Sequence, residues 1–168
     1  MTLASDIETW IVEWVSQYNK NLDAVPCPFA RQALVDNKIL IIELQPQEHI
    51  SMAEYLQAEL ENYTFHWPSG KEVVALGCRP DLISSDDLEQ IVNECNQTFL
   101  KDRSYIALED HPANLEIIAG EAMNQGSWAL VLVQLKSKLD KASAILERQG
   151  YYKNWSQENL NDVVNWRN

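Results

Sequence analysis

Residues Lys38 to Leu44 read Lys-Ile-Leu-Ile-Ile-Glu-Leu, with Ile39, Leu40, Ile41 and Ile42 in unbroken succession. Successive side chains of a strand point to opposite faces, so apolar residues at every position leave neither face for water. Such a strand is expected at the centre of a sheet, covered by helices on one or both sides. The helices are legible on either side of it. From Leu3 to Tyr18, the positions Leu3, Ile7, Trp10, Ile11, Trp14, Val15 and Tyr18 follow helical spacing, and Ser5 with Glu8 forms a capping box. The two Trp on that stripe predict a large buried contact. Beyond the run, Ser51 and Glu54 make a second capping box, with Ile50 placed to staple Tyr55, and open a helix to about Asn62.

The same pattern then repeats. Tyr63 to Gly70 reads as a loop, Glu72 to Gly77 as a strand, Asp86 to Lys101 as a helix with Leu88, Ile91, Val92, Cys95 and Phe99 on one face, and Ser104 to Leu108 as a strand. Asn114 to Met123 fits either a short helix or an extra edge strand. Trp128 to Gln134 is a fourth strand, Leu135 to Gln149 a helix ended by Gly150, and Ser156 to Trp166 a last short helix. Two successive strand-helix-strand units predict parallel pairing, with the fourth strand added on either side. The expectation is one α+β domain over residues 1–168, a three- to four-stranded mixed sheet packed by helices, with a ferredoxin-like arrangement as one option. No internal repeat or low-complexity tract divides the chain.

Composition excludes several classes of function. With 25 acidic residues against 13 basic ones the net charge is −12, which repels nucleic acid phosphates and anionic lipid head groups. Neither nucleic acid nor a membrane surface is an expected partner. The charge is spread along the chain, so it reads as a solvated surface or as an attraction for a basic partner. The apolar runs fall far short of the roughly 18 residues that span a bilayer. The opening Met1-Thr2-Leu3-Ala4-Ser5-Asp6 lacks a positive n-region, and the three cysteines, Cys27, Cys78 and Cys95, show no paired spacing. A soluble cytoplasmic protein with reduced thiols is expected.

The sharpest local feature is Cys27-Pro28-Phe29-Ala30 at an apparent helix start, with Cys27 as N-cap and Pro28 at the first helical position. Free N–H groups at a helix start lower a thiol's pKa, and Arg31 stands close by in sequence; alternatively Cys27 packs as a small apolar residue. His111, between Asp110 and Pro112 at a strand end, is the candidate acid or base, or else a residue that caps its loop. These residues resemble an uncharacterised family known from bacteria and phages, whose members carry a Cys-Pro-Phe-Ala run after an N-terminal helix and a late His-Pro pair. Cys27, Pro28, Phe29, Ala30, His111 and Pro112 carry the match, which departs from the family at Arg31-Gln32, where relatives continue with basic residues. The resemblance implies a shared scaffold and pocket, and no reaction.

Two functional readings follow. In the first, a small enzyme or small-molecule-binding protein has a pocket at the strand ends, with Cys27 as nucleophile and His111 as its base. Arg31, Arg79 and Asp110 would then contact an anionic small molecule. In the second, the chain is a non-catalytic interaction module that meets its partner through its acidic surface. Tyr151, Tyr152, Trp155 and Trp166 add a homodimer surface to that reading, or else simply dock the last helix. His49, His66 and His111 fit no metal-ligand spacing, and glycine-rich phosphate loops and Gly-x-Ser-x-Gly turns are missing, so no metal or cofactor is expected.

Overall fold

A computed structural model describes residues 1–167. In chain order its main elements are α1 (Leu3–Trp10), α2 (Ala30–Val35), β1 (Ile39–Glu43), α3 (Met52–Phe65), β2 (Val73–Cys78), α4 (Ser85–Cys95) and β3 (Tyr105–Asp110). A small hairpin of β4 (Ile117–Ile118) and β5 (Glu121–Ala122) comes next, followed by β6 (Ala129–Leu135), α5 (Lys136–Arg148) and α6 (Gln157–Val163). The main sheet has the order β1-β2-β6-β3. β1 pairs parallel with β2, while β6 runs antiparallel to both β2 and β3. The fold is therefore α+β with a mixed sheet. Its fourth strand does not add at a margin but enters between β2 and β3, an order unlike the alternating antiparallel one of a ferredoxin-like sheet.

One face of the sheet carries Val74, Leu76, Val131, Val133 and Ala107 against Leu56 and Leu60 of α3 and Leu88 and Val92 of α4. The other face sets Leu130 and Trp128 against Leu3, Ile7 and Ile11. The α3 capping box forms as expected: Ser51 Oγ accepts from the Glu54 N–H and the Glu54 carboxylate accepts from the Ser51 N–H. The start of α1 differs from expectation, with Thr2 as the cap and Ser5 at the third position. Packing decides this. Leu3 is fully buried against Gly77 of β2, where an added Cβ would lie 2.7 Å from Leu3 Cδ2, and a helix beginning at Ser5 would leave Leu3 outside that contact.

Beyond α1 the helix widens into a π turn over Ile11–Val15, and Leu3, Ile7, Ile11 and Val15 form its buried line. Trp10 and Trp14 are half-exposed instead of buried, and stack on each other with ring centroids 6.1 Å apart. β1 is also displaced from its expected place. It is an edge strand whose five residues are all half-buried, whereas Val74 to Cys78 and Ala129 to Val131 are buried throughout. The ambiguous stretch after β3 is the β4–β5 hairpin, turned by Ala119 and Gly120 at φ of 50° and 82°.

Candidate functional site

β2 and β3 are both antiparallel to β6, so their C-terminal ends share one end of the sheet, as the sequence reading of Arg79 and His111 requires. A short 3-10 turn, Pro80–Leu82, follows β2 and leads through Ser84, the cap of α4. His111 closes β3 and is only 7% exposed. Its Nε2 lies 3.1 Å from the Ile83 carbonyl and 3.4 Å from that of Pro80, and its Nδ1 lies 3.1 Å from the Ala113 amide N. Two carbonyls require Nε2 to donate and an amide N–H requires Nδ1 to accept, so the network assigns a neutral ring protonated on Nε2. Both nitrogens are committed to main chain. The ring joins the turn after β2 to the loop after β3.

Asp110 is similarly engaged. Its carboxylate accepts from Asn124 Nδ2 at 2.7 Å and from the Gln125 N–H at 2.8 Å. Burial pushes the Asp110 carboxyl above its ordinary range, against the pull of those two hydrogen bonds. Asn124 also donates to the Asn114 carbonyl at 3.1 Å and accepts from the Glu116 N–H at 2.8 Å. A residue that reads in the sequence as part of a turn thus ties β3 to the hairpin loop.

These contacts shape a cleft of about 580 Å³. Ser85, Glu89 and Asn93 of α4 form one wall, and Glu109, Asp110 and His111 form the floor. The opposite wall comes from Leu115, Glu116, Asp162 and Trp166. Among the described residues, no lysine or arginine lines it. The Glu109 carboxyl is held above its ordinary range, mainly by burial and further by the charges of Glu89 and Asp110, while its own N–H opposes the shift. A shallow groove of about 350 Å³ continues from Glu89 and Asn93 over the outer side of α4 and adds Asp86 and Glu94. Leu115 and Trp166 are exposed apolar groups on the cleft wall. Among the described residues, no three His, Cys, Asp or Glu side chains stand close enough to hold a metal ion.

Cys27 does not line this cleft. It sits in the turn before α2, which begins at Ala30 with Phe29 at the cap position: the Phe29 carbonyl accepts the first helical bond, from the Ala33 N–H at 3.1 Å, and the Cys27 N–H donates to the Val15 carbonyl at 2.9 Å. The N–H groups of Phe29 and Ala30 do favour the thiolate, but burial acts more strongly and pushes the Cys27 thiol up, away from the reactive range. Burial likewise pushes Cys78 and Cys95 up to about 11. The structure therefore does not bring Cys27 and His111 into contact. Arg79 is paired with Asp81 at 2.7 Å, and Arg31 is exposed on α2; neither lines the cleft. Of the residues expected to form a pocket, only Asp110 and His111 do.

The C-terminal aromatic group packs on its own chain. The Tyr151 hydroxyl donates to the Pro26 carbonyl, Lys153 pairs with Asp23 at 2.6 Å, and Trp155 lies edge-on to Tyr152 at 5.0 Å between centroids. What the sequence reading missed is the group of carboxylates around Asp110. Their positions run from residue 86 to residue 162 with no local spacing, and the excess of acidic residues is the one signal of them. A scan against protein-family models finds no match for this chain, and neither the curated proteins nor the solved structures match it. No helix in the described residues is long and apolar enough to cross a membrane.

Proposed function

We propose that this chain is a non-catalytic interaction module whose cleft binds a basic segment, rich in Lys or Arg, of a partner protein. The carrying observation is the lining of the cleft and its continuation: Glu89, Glu109, Asp110, Glu116 and Asp162, then Asp86 and Glu94, with no lysine or arginine among the described lining residues, the Arg167 charge offsetting part of the excess at Glu116. Like charges gathered in a partly buried place raise one another's energy, and a cationic side chain entering the cleft relieves that cost. The carboxylates extend from the cleft along α4 to Asp86 and Glu94, which suits a run of separated positive charges better than a single ion. Trp166 on its wall adds an aromatic ring, a group that attracts guanidinium. The commitment of both His111 nitrogens to main chain supports binding over acid–base chemistry, and the cleft's charge disfavours an anionic ligand.

Titration calorimetry with an Arg- and Lys-rich peptide, and with an acidic peptide of equal length, tests this reading. Binding of the basic peptide alone is expected, weakening about tenfold or more as salt is raised to several times the physiological level. It also weakens as pH falls, since Glu109 and Asp110 take up protons at higher pH than ordinary carboxyls. Glu89→Gln with Asp162→Asn should reduce affinity about tenfold, each lost contact being worth up to about 1 kcal/mol at a solvated site. Unchanged affinity in that variant would mean that the peptide responds only to net charge, and the cleft reading would be lost.

A further inference from the structure

The two edges of the main sheet are finished differently. On the β3 edge, Ala107 directs its N–H and carbonyl outward, and both are taken by the Asn96 side chain: the N–H reaches Oδ1 at 2.8 Å and the carbonyl accepts from Nδ2 at 2.9 Å. A carboxamide standing in for a neighbouring strand closes this edge to further pairing.

The β1 edge has no such closure. The Lys38 carbonyl accepts from the Val73 N–H at 3.2 Å and the Leu44 N–H donates to the Gly77 carbonyl at 2.7 Å, which places even-numbered positions of β1 in the ladder with β2. Ile39, Ile41 and Glu43 therefore direct their N–H and carbonyl groups outward, and those groups have no hydrogen-bond partner among the described residues. No proline, lysine or bulge interrupts the register from Ile39 opposite Val73 to Glu43 opposite Gly77. A sequence suited to the middle of a sheet stands at its margin, half-exposed on both faces.

We infer that β1 pairs with β1 of a second copy of this chain, antiparallel about a two-fold axis at Ile41, to continue the sheet across two molecules. A strand that completes this edge must be apolar at successive positions, to cover Leu40 and Ile42 on one face and Ile39 and Ile41 on the other. The chain carries such a run in β1 itself. With Ile41 opposite Ile41, Ile39 faces Glu43, and the three outward N–H groups of each copy meet the three outward carbonyls of the other. The pairing is weak. A strand of five residues falls short of the roughly 1,200 Å² of total area that stable interfaces bury, and the net charge of −12 on each copy opposes association.

That charge gives the test its signature. Analytical ultracentrifugation over rising concentration, at about 0.1 M and about 1 M salt, should show a monomer–dimer equilibrium that salt strengthens, because screening removes the repulsion. Salt has the opposite effect on a basic peptide in the acidic cleft. Amide hydrogen exchange at matched concentrations should slow about tenfold at Ile39, Ile41 and Glu43 as dimer forms, with Leu40 and Ile42 already slow in the monomer. Ile41→Pro removes an outward N–H and should abolish the dimer with an unchanged circular dichroism spectrum; should that variant not fold, exchange in the unaltered protein decides. A monomer at every concentration overturns the inference, as does a dimer whose β1 amides exchange freely. Protection of those amides only on adding the basic peptide also overturns it, in favour of a strand from a partner.

Discussion

His111 and Cys27 stand in opposite relations to the protein around them. His111 is almost fully buried and every ring nitrogen has a main-chain partner, whereas Cys27 lies in a turn near Tyr151 and the contributions to its ionisation conflict. The first residue is fixed by hydrogen bonds that only an imidazole of one tautomer satisfies. The second is held by packing that a small apolar side chain would satisfy almost as well. Burial alone therefore says little about whether a polar residue is structural; what matters is how many of its atoms are answered.

Three measurements break or sharpen that contrast. The largest effect is expected from His111→Ala, which leaves the carbonyls of Pro80 and Ile83 and the Ala113 N–H without their partner in a buried place. A loss of about 3 kcal/mol is expected, seen as a fall in Tm of roughly 6–12 °C. Equal stability of the variant would remove the ring's joining role. Cys27→Ala should cost about 1 kcal/mol or less in denaturant unfolding, as the loss of one packed sulfur. In the unaltered protein, alkylation of Cys27 should rise with a midpoint above the ordinary thiol value of about 8.5, because burial disfavours the thiolate. A midpoint below it would restore Cys27 as a nucleophile.

The smallest effect concerns Glu109→Gln. The Glu109 carboxyl is raised in the folded protein, so folding favours its protonated form. Stability should then increase as pH falls from neutral through that raised value, until the unfolded chain also protonates near about 4.3. The variant should lose the Glu109 share of this dependence, Asp110 keeping its own, and be more stable at pH 7 by under about 1 kcal/mol, measured as Tm across that pH range. An unchanged pH profile would show that the carboxyl is well solvated, and would weaken the electrostatic case for the cleft.

The fold was legible where local chemistry and packing agree. Ser51 and Glu54 announce α3 because the capping box needs only neighbouring residues. β1 and β6 read alike as apolar runs, and periodicity cannot tell which of them is paired on both sides; β6 took the centre because it supplies the antiparallel partner of both β2 and β3. Ala119 at positive φ hides the hairpin turn, since alanine carries no turn signal. In the site, the placement of Asp110 and His111 at a strand end was readable from sequence. Their engagement was not, because Asn124, Gln125, Pro80 and Ile83 are brought to them by the tertiary fold. The carboxylates of the cleft were visible only as a total charge.

The docking of the last residues onto the first ones sets an order of assembly. Every strand of the main sheet is complete at Leu135, while Tyr151 reaches back to Pro26, Asn159 to Ile117 and Arg167 to Ser143. Synthesis proceeds from the N-terminus at about 5–20 residues per second, so the sheet has its strands before α6 and Trp166 leave the ribosome. The Asp162 and Trp166 part of one cleft wall is thus among the last of the described chain to be made. A nascent chain exposes the floor carboxylates Glu109 and Asp110 before it can enclose anything with them.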